Sequence, residues 1–289
     1  MAAIYFNINL FPNNSIITAT YNRASLLATK ALSSVQQQTD SRFEWIVIND
    51  GYDPETRNLI ARSKFSCCVR YLEMPHPNAG FGLCHARNLG MATATGTLIA
   101  YLDDDNTIAP TFVSSVQQFF HQHPQIQCSM VQQWRQRDQV DGNLLVRSGV
   151  PFLSPPAAAT VEDLLNQQEL FDSNGFVHRR QATLRWNPHY RIFADYEFFL
   201  QCLSVWGQDC FQLHPAVLVN YVQRSDGVIG RSSYRDWMIE LEQILNSCAL
   251  YPVLNDQTQA QLRQLVQRWR DRAAHHRCST EFCKFTEGG

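Results

Sequence analysis

The sequence predicts an α/β protein: a doubly wound, mostly parallel sheet with helices on both faces, followed by a helical C-terminal appendage. Three observations carry this. Short β-rich runs alternate with helical periodicities in the order β-α-β-α-β-α-β from Ser15 to Asp105. Several runs are apolar along their length instead of alternating, as strands covered on both faces are. Polar residues gather where those runs end, and an open parallel sheet binds its ligand outside the carboxyl ends of its strands.

Each element has its own signal. SIITAT (15–20) is the first strand and ends at Thr20-Tyr21-Asn22-Arg23. Over 24–38, Leu26, Leu27, Ala31, Leu32 and Val35 recur at helical spacing. FEWIVIND (43–50) is the second strand, and Pro54 opens a helix to Arg62, since proline suits a first helical turn. CCVRYLEM (67–74) is the third strand, 83–94 a helix, TLIAYLD (97–103) the fourth strand, and Pro110 starts a helix to His121. In the second half, MVQQWRQ (130–136) and NLLVRSG (143–149) predict a hairpin about Asp141-Gly142. A helix follows over 195–205, a strand at LHPAVLVNYV (213–222), and two helices over 234–249 and 257–274. The last bears an apolar stripe of Leu262, Leu265, Val266 and Trp269, with Arg263, Arg268, Arg270 and Arg272 elsewhere, which reads as a docked helix and not a membrane anchor.

Composition narrows the function. Of 289 residues 45% are apolar and 17% charged, enough for a sizeable core. With 24 basic and 26 acidic residues the net charge is −2, which disfavours a surface for long nucleic acids and leaves room for a small anionic ligand. No apolar run approaches the roughly 18–20 residues of a membrane span, and MAAIYFNINLFPNN lacks the basic and apolar regions of a signal peptide. Nine cysteines are odd in number and irregularly spaced in a chain too large to need staples. The expectation is a cytoplasmic protein with reduced thiols. Cys278 and Cys283 beside His275 and His276 match no common zinc spacing and read as a reduced tail.

The chemistry gathers at strand ends. Asp103-Asp104-Asp105-Asn106 closes a buried apolar run, where three carboxylates repel one another. A hard divalent cation, Mg²⁺ or Mn²⁺, offsets that repulsion; a solvated acidic turn is the other reading. Asp50 is placed to hydrogen-bond a base or ribose, and Tyr21 offers a ring for stacking. In ADYEFFLQ (194–201), Asp195 opens a helix, as an N-terminal cap or as a general base for an acceptor hydroxyl. Trp186 and His189 supply aromatic surface for sugars, or packing.

These segments in order, IITATYNR, VINDGYD, NAGFGLCHARNLGMATATGTLIAYLDDDN, GFVHRRQA and ADYEFFLQ, carry a resemblance to the family 2 glycosyltransferases of GT-A fold over roughly 15–224. The resemblance implies a transferase domain over 13–224, with a nucleotide-binding half at 13–106 and an acceptor half at 107–224. Residues 225–289 then form a closing loop and C-terminal helices. It implies Thr20 and Tyr21 against the base, Asp50 on the base edge, and Arg23 on the nucleotide side. Arg87 would contact the diphosphate or donor sugar. Asp105, with Asp103, would hold Mn²⁺ or Mg²⁺, and Asp103 and Asp104 would lie near ribose and phosphate. Asp195 would be the catalytic base, with Trp186, His189 and Arg224 on the acceptor side. The implied reaction is inverting transfer from a nucleoside-diphosphate sugar, UDP favoured and GDP next, to a carbohydrate, lipid-linked or small-molecule acceptor in the cytoplasm or at the inner membrane surface.

Three positions depart from the family pattern. Asn49 stands where an acid often precedes Asp50, and Ala194 where Glu or Gly often precedes Asp195. Tyr221-Val222-Gln223-Arg224 replaces a frequent Tyr-Arg-x-His, so Arg224 is left to meet phosphate as a charge. Gly227 and Gly230 in the following loop suit a mobile lid. Two other readings remain: a nucleotide-sugar-binding protein without catalysis, and a metal-dependent nucleotidyltransferase, which would want a glycine-rich or basic triphosphate loop near the first strand.

Overall fold

The computed structural model describes residues 3–6, 13–141 and 144–275. Its strands are β1 (Ala3–Phe6), β2 (Asn14–Thr20), β3 (Phe43–Asp50), β4 (Cys68–Met74), β5 (Leu98–Tyr101), β6 (Thr107–Ile108), β7 (Cys128–Asp141), β8 (Leu144–Arg147), β9 (Phe152–Ser154), β10 (Phe176–Arg179) and β11 (Phe211–Arg224). The helices are α1 (Ala24–Leu27), continued through a π-helical turn (Ala28–Leu32) into α2 (Ser33–Gln36), then α3 (Pro54–Arg62), α4 (Gly82–Thr93), α5 (Phe112–Gln122), α6 (Val161–Leu165), α7 (Ala194–Trp206), α8 (Val228–Arg231), α9 (Tyr234–Asn246) and α10 (Asp256–His275).

One sheet runs through both halves of the chain in the order β1-β4-β3-β2-β5-β10-β7-β11-β6. Its centre is parallel: β2 pairs with β3 and β5, and β3 with β4. Chain order reverses between β2 and β5, the switch point at which doubly wound sheets open a crevice. Beyond it, β10 enters antiparallel between β5 and β7, while β7 and β11 run parallel. The sequence did not predict β10, because four residues buried on both sides show no strand alternation. Nor did it predict β1, which pairs antiparallel with β4 at the sheet edge. The expected hairpin forms, with Val140 opposite Leu145 and Asp141 opposite Leu144; Gly142 at its turn lies outside the described residues, as do His276, Cys278 and Cys283.

Period-two alternation divides the strand residues between two cores. Ile17, Ile46 and Ile48 face one, with Phe198, Phe199 and Leu203 of α7. Ile16, Trp45 and Val47 face the other, with Leu27, Val35, Ile60 and Phe112. Helix α4 lies close on β2: a Cβ at Gly90 would come within 2.5 Å of Ile17 Cγ2. The C-terminal helices are part of the first core through Leu241, Ile244, Leu262 and Val266. Rings clasp the junction, with Phe193 5.9 Å from both Trp237 and Trp269. Among the described residues no helix is long and apolar enough to cross a membrane.

A buried carboxylate sets where β5 begins. Glu44 Oε1 accepts from Ser15 Oγ at 2.6 Å and from the backbone N–H groups of Thr95 and Gly96 at 2.6 and 3.1 Å. Its other oxygen lies 3.0 Å from Arg70 Nε. Gly96 has no room for a side chain, since a Cβ would stand 2.7 Å from the Ser15 backbone nitrogen. Removing one partner of a buried ion pair costs about 3–5 kcal/mol. Glu44→Ala is therefore expected to lose stability of that order in denaturant unfolding, and Glu44→Gln, which keeps an acceptor, to lose less. An alanine variant with the wild-type midpoint would show that the clamp contributes nothing.

Candidate functional site

The crevice at the switch point is a cavity of about 760 Å³. Around it stand Thr20, Tyr21 and Arg23 after β2, Asp50 ending β3, Asp103 to Asp105 after β5, and Arg87, His189, Asp195 and Arg224. Of the site residues expected from sequence, Trp186 alone does not reach it.

One end suits a flat heterocycle. The Tyr21 ring is 49% exposed and stacks on His76 with centroids 5.0 Å apart. His76 Nδ1 lies 3.1 Å from Asp50 Oδ2, while Asp50 Oδ1 is buried without a hydrogen-bond partner. A buried acceptor left unpaired is costly, so this oxygen is ready for a donor. The start of α4 can lie against this carboxylate only because residue 82 is glycine: a Cβ there would fall 2.1 Å from Asp50 Oδ2. Asn49 is buried and turns its amide toward the Gly51 carbonyl at 3.3 Å, so it supports the turn instead of facing the cavity.

The acidic turn divides its labour. Asp104 is buried and accepts from Thr20 Oγ1 at 2.8 Å and Arg23 Nη1 at 2.7 Å. Thr20, expected against a base, is thus engaged with Asp104. Arg23 Nη2 also donates to Asp105 at 2.9 Å. Asp103 accepts from Arg87 at 2.9 Å and from Asn174 Nδ2 at 2.8 Å, and its own N–H donates to Asn174 Oδ1 at 2.7 Å. The side chains of Asp103 and Asp105 are 30% and 16% exposed against 3% for Asp104. These are the two carboxylates a ligand can reach.

Arg87 corrects an expectation. It is only 2% exposed, and instead of presenting itself to a diphosphate it joins three groups. Nη1 donates to Asp195 Oδ1 at 2.8 Å, and Nη2 donates to Asp103 and, at 2.7 Å, to Ser173 Oγ. Burial works against its charge, but Asp103 and Asp195 prevail and raise its pKa. Beneath it lies Trp186, 4.3 Å from ring to guanidinium and stacked on Phe198 at 4.2 Å. Trp186 is 1% exposed, so it is the floor of the site and not a sugar platform. Arg224 is paired with Asp226 through Nε and Nη2, both at 2.9 Å.

The segment Asp172-Ser173-Asn174-Gly175 escaped the sequence reading. Its signal was a turn composition ahead of GFVHRRQA, completed by Gly175 at φ +79°, where a Cβ would fall 2.5 Å from Val131 Cγ2. Glu240 of α9 was missed too: its Oε2 accepts the N–H groups of Arg191, Ile192 and Phe193 at 3.1, 2.8 and 3.0 Å. That anchors the loop entering α7, and nothing local in sequence signals so distant a contact.

Among the described residues no three His, Cys, Asp or Glu side chains form a ready metal cage. The donor set nevertheless suits a hard cation that keeps its waters. Around the cavity Asp50, Asp103, Asp104, Asp105, Asp172 and Asp195 stand against Arg23, Arg87, Arg191 and Arg224, an excess of carboxylates. Burial pushes Asp104 up to about 7, with Arg23 opposing and Asp105 adding to the rise. Asp105 is raised, by burial first and by Asp103 next, again with Arg23 opposing. Burial likewise takes Asp172 up to about 7, eased by Arg135 and increased by Asp195 and Asp103. Such acids keep their protons in the folded state after the unfolded chain has released them near pH 4. Their contribution to stability therefore falls as pH rises from about 4 to about 7. Asp172→Asn is expected to shrink the drop in melting temperature between pH 5 and pH 8; an unchanged drop would show that Asp172 folds already ionised.

Comparison with known proteins agrees with this geometry. The model for glycosyl transferase family 2 matches residues 15–192. An uncharacterised glycosyltransferase of Nostoc sp. is 27% identical over 189 residues, 63% of this chain and 56% of the relative, so the chain spans little more than half that protein's length. S. aureus TarS 1–349 in complex with UDP superposes over 92% of this chain and 72% of its own, with a TM-score of 0.60 at 15% identity. The mannosyltransferase PcManGT of Pyrobaculum calidifontis, in complex with GDP-Man and Mn²⁺, does so over 93% and 76%, with a TM-score of 0.55 at 14% identity. At those identities the structures speak for the fold, which is GT-A, and the match over most of β2 to β10 speaks for descent: the chain belongs to glycosyl transferase family 2.

Proposed function

We propose that the chain transfers a sugar from a nucleoside-diphosphate sugar to an acceptor hydroxyl with inversion, Asp195 acting as general base. The observation that carries this reading is the place of Asp195. It lines both the large cavity and a second one of about 360 Å³, as Asp172 does, and with its side chain 29% exposed against 8% for Asp172 it is the carboxylate that ligands on either side would reach. A binding protein without catalysis has no need of a base at that junction.

In this reading the heterocycle stacks on Tyr21 and donates to the unpaired Asp50 oxygen, a contact that suits the N–H of uracil. Structures of the same fold hold UDP and GDP-Man, which supports a nucleotide-sugar donor. Asp105 and Asp103 would hold Mn²⁺ or Mg²⁺, which when bound offsets the charge of the departing diphosphate. Arg23 stands beside the same carboxylates. Asp195 takes up the hydroxyl proton as the acceptor attacks the anomeric carbon, and Arg87 fixes the carboxylate that receives it. Arg87 also ties that base to the acidic turn, so the two sides of the reaction are held in one register. His189 and Arg224 border the space between them.

A general base contributes about 10²–10⁴-fold. Asp195→Asn should therefore lower turnover by that order, measured as release of UDP or GDP from a panel of nucleotide sugars, while calorimetric UDP affinity stays at the wild-type value. Full activity in this variant would remove Asp195 as base. For the acidic turn, Asp105→Ala should abolish the extra thermal stabilisation that Mn²⁺ gives in the presence of UDP. An undiminished Mn²⁺ effect would place the cation elsewhere.

A further inference from the structure

The second cavity has a chemistry of its own. Its floor is the paired strands β7 and β11, where Arg135 stands opposite Tyr221 and Arg137 opposite Gln223. Residues two apart on a strand share a face, and both arginines line the opening, Arg135 over the Tyr221 ring and Arg137 5.4 Å from the centre of Phe152. Neither is used by the nucleotide end of the site. Its wall comes from the C-terminal helices, with Trp237 and Trp269 5.4 Å apart, and from Arg272, whose Nη1 donates to Tyr234 at 3.1 Å.

Arg135 is the more telling of the pair. It is 6% exposed and its guanidinium covers the Tyr221 ring at 4.1 Å, yet Nη1 is buried without a hydrogen-bond partner. Its acid, Asp172, forms an ion pair at 3.9 Å that is too long for a hydrogen bond, and burial raises the pKa of that acid against the pull of Arg135. Arg137 has its pKa lowered, by burial first and by Arg135 second, and among the described residues only the Arg135 guanidinium of the two has an acid, Asp172, within ion-pair distance. The other acid of the cavity, Asp195, is held by Arg87. A protein places such guanidiniums in a half-enclosed aromatic pocket at a cost in desolvation, which a bound anion returns through charge-assisted hydrogen bonds.

We infer that the acceptor is a sugar bearing an anionic group, a carboxylate or a phosphate, which seats on Arg135 and Arg137 while the ring lies along the aromatic wall and its hydroxyl reaches Asp195. This rests on the transferase reading for the role of the occupant, but not for the anion site itself. The C-terminal helices thereby acquire a role, since they complete the acceptor pocket.

The test uses the full chain and three probes sharing one ring: methyl glucoside, methyl glucuronide and methyl glucoside 6-phosphate. Affinities are read by calorimetry with and without UDP and Mn²⁺. A charged ring should bind about tenfold or more tighter than the neutral one, and whichever anion is preferred names the source. Arg137→Gln, partly exposed and safe for folding, should cut that preference to about threefold or less and leave UDP affinity unchanged. Arg135→Gln should do the same or more if it folds. Equal binding of all three rings, or a preference that survives in Arg137→Gln, would overturn the inference. Failure of UDP to bind would count against the donor reading alone, because the ranking of the rings is read without it.

Discussion

The site depends on one buried guanidinium. Arg87 is delivered by α4, and its partners come from three other places: Asp103 after β5, Ser173 ahead of β10, and Asp195 at the start of α7. Burying such a charge is expensive unless it is paired and hydrogen-bonded. Here two carboxylates and a hydroxyl answer it, and the Trp186 face receives its underside. The same arrangement reads in reverse. Without Arg87, Asp103 and Asp195 would lose the one cation they share, and only the Ser173-Asn174 turn would still bond to both. Lysine would not replace it, because a point charge cannot hold two carboxylates at the spacing of a planar fork.

That constraint explains the charge balance of the crevice. Arg87 is committed to holding the site, Arg23 is shared between Asp104 and Asp105, and Arg224 is paired with Asp226. Few of the described cationic groups around the crevice are left without an acid, and Asp104 and Asp105 are raised by burial and mutual repulsion. A net charge of −2 for the whole chain concealed this, since it averages over a surface on which the local excess of acid is confined to one strand edge. On the proposed reading, Asp103 and Asp105 would hold a divalent cation whose charge would offset a conflict that side chains alone leave standing.

Much of this was legible in sequence where the pattern is local. Asp50 and Asp103 to Asp105 end apolar runs, and topology alone brings such ends to one edge; β3 and α3 fall where the periodicity and Pro54 put them. Asp195 was placed by its motif, and it does open α7. What failed was contact between distant segments. Trp186 looks like a sugar platform when aromatic residues are considered one by one, but Phe198 and Arg87 occupy its two faces. Arg87 looks like a phosphate ligand until its two acids are located. The Asp172–Asn174 turn has no periodicity to announce it, and β10 is too short to show one.

The C-terminal helices show the same logic from the other side. An apolar stripe on α10 says that the helix docks, and it does, through Leu262 and Val266. It says nothing of Glu240 on α9, whose single oxygen gathers three successive backbone N–H groups just before α7. Those groups have no strand or helix partner at that oxygen's position, and a carboxylate is the acceptor best able to satisfy several at once. Because α7 carries Asp195 in its first turn, the loop that Glu240 pins is the loop that aims Asp195. The appendage is therefore coupled to the crevice twice, by fixing the approach to Asp195 and by walling the cavity beside it. A deletion ending the chain before α9 would disturb Asp195 even though no residue of the acidic turn or the Tyr21 stack lies in the part removed.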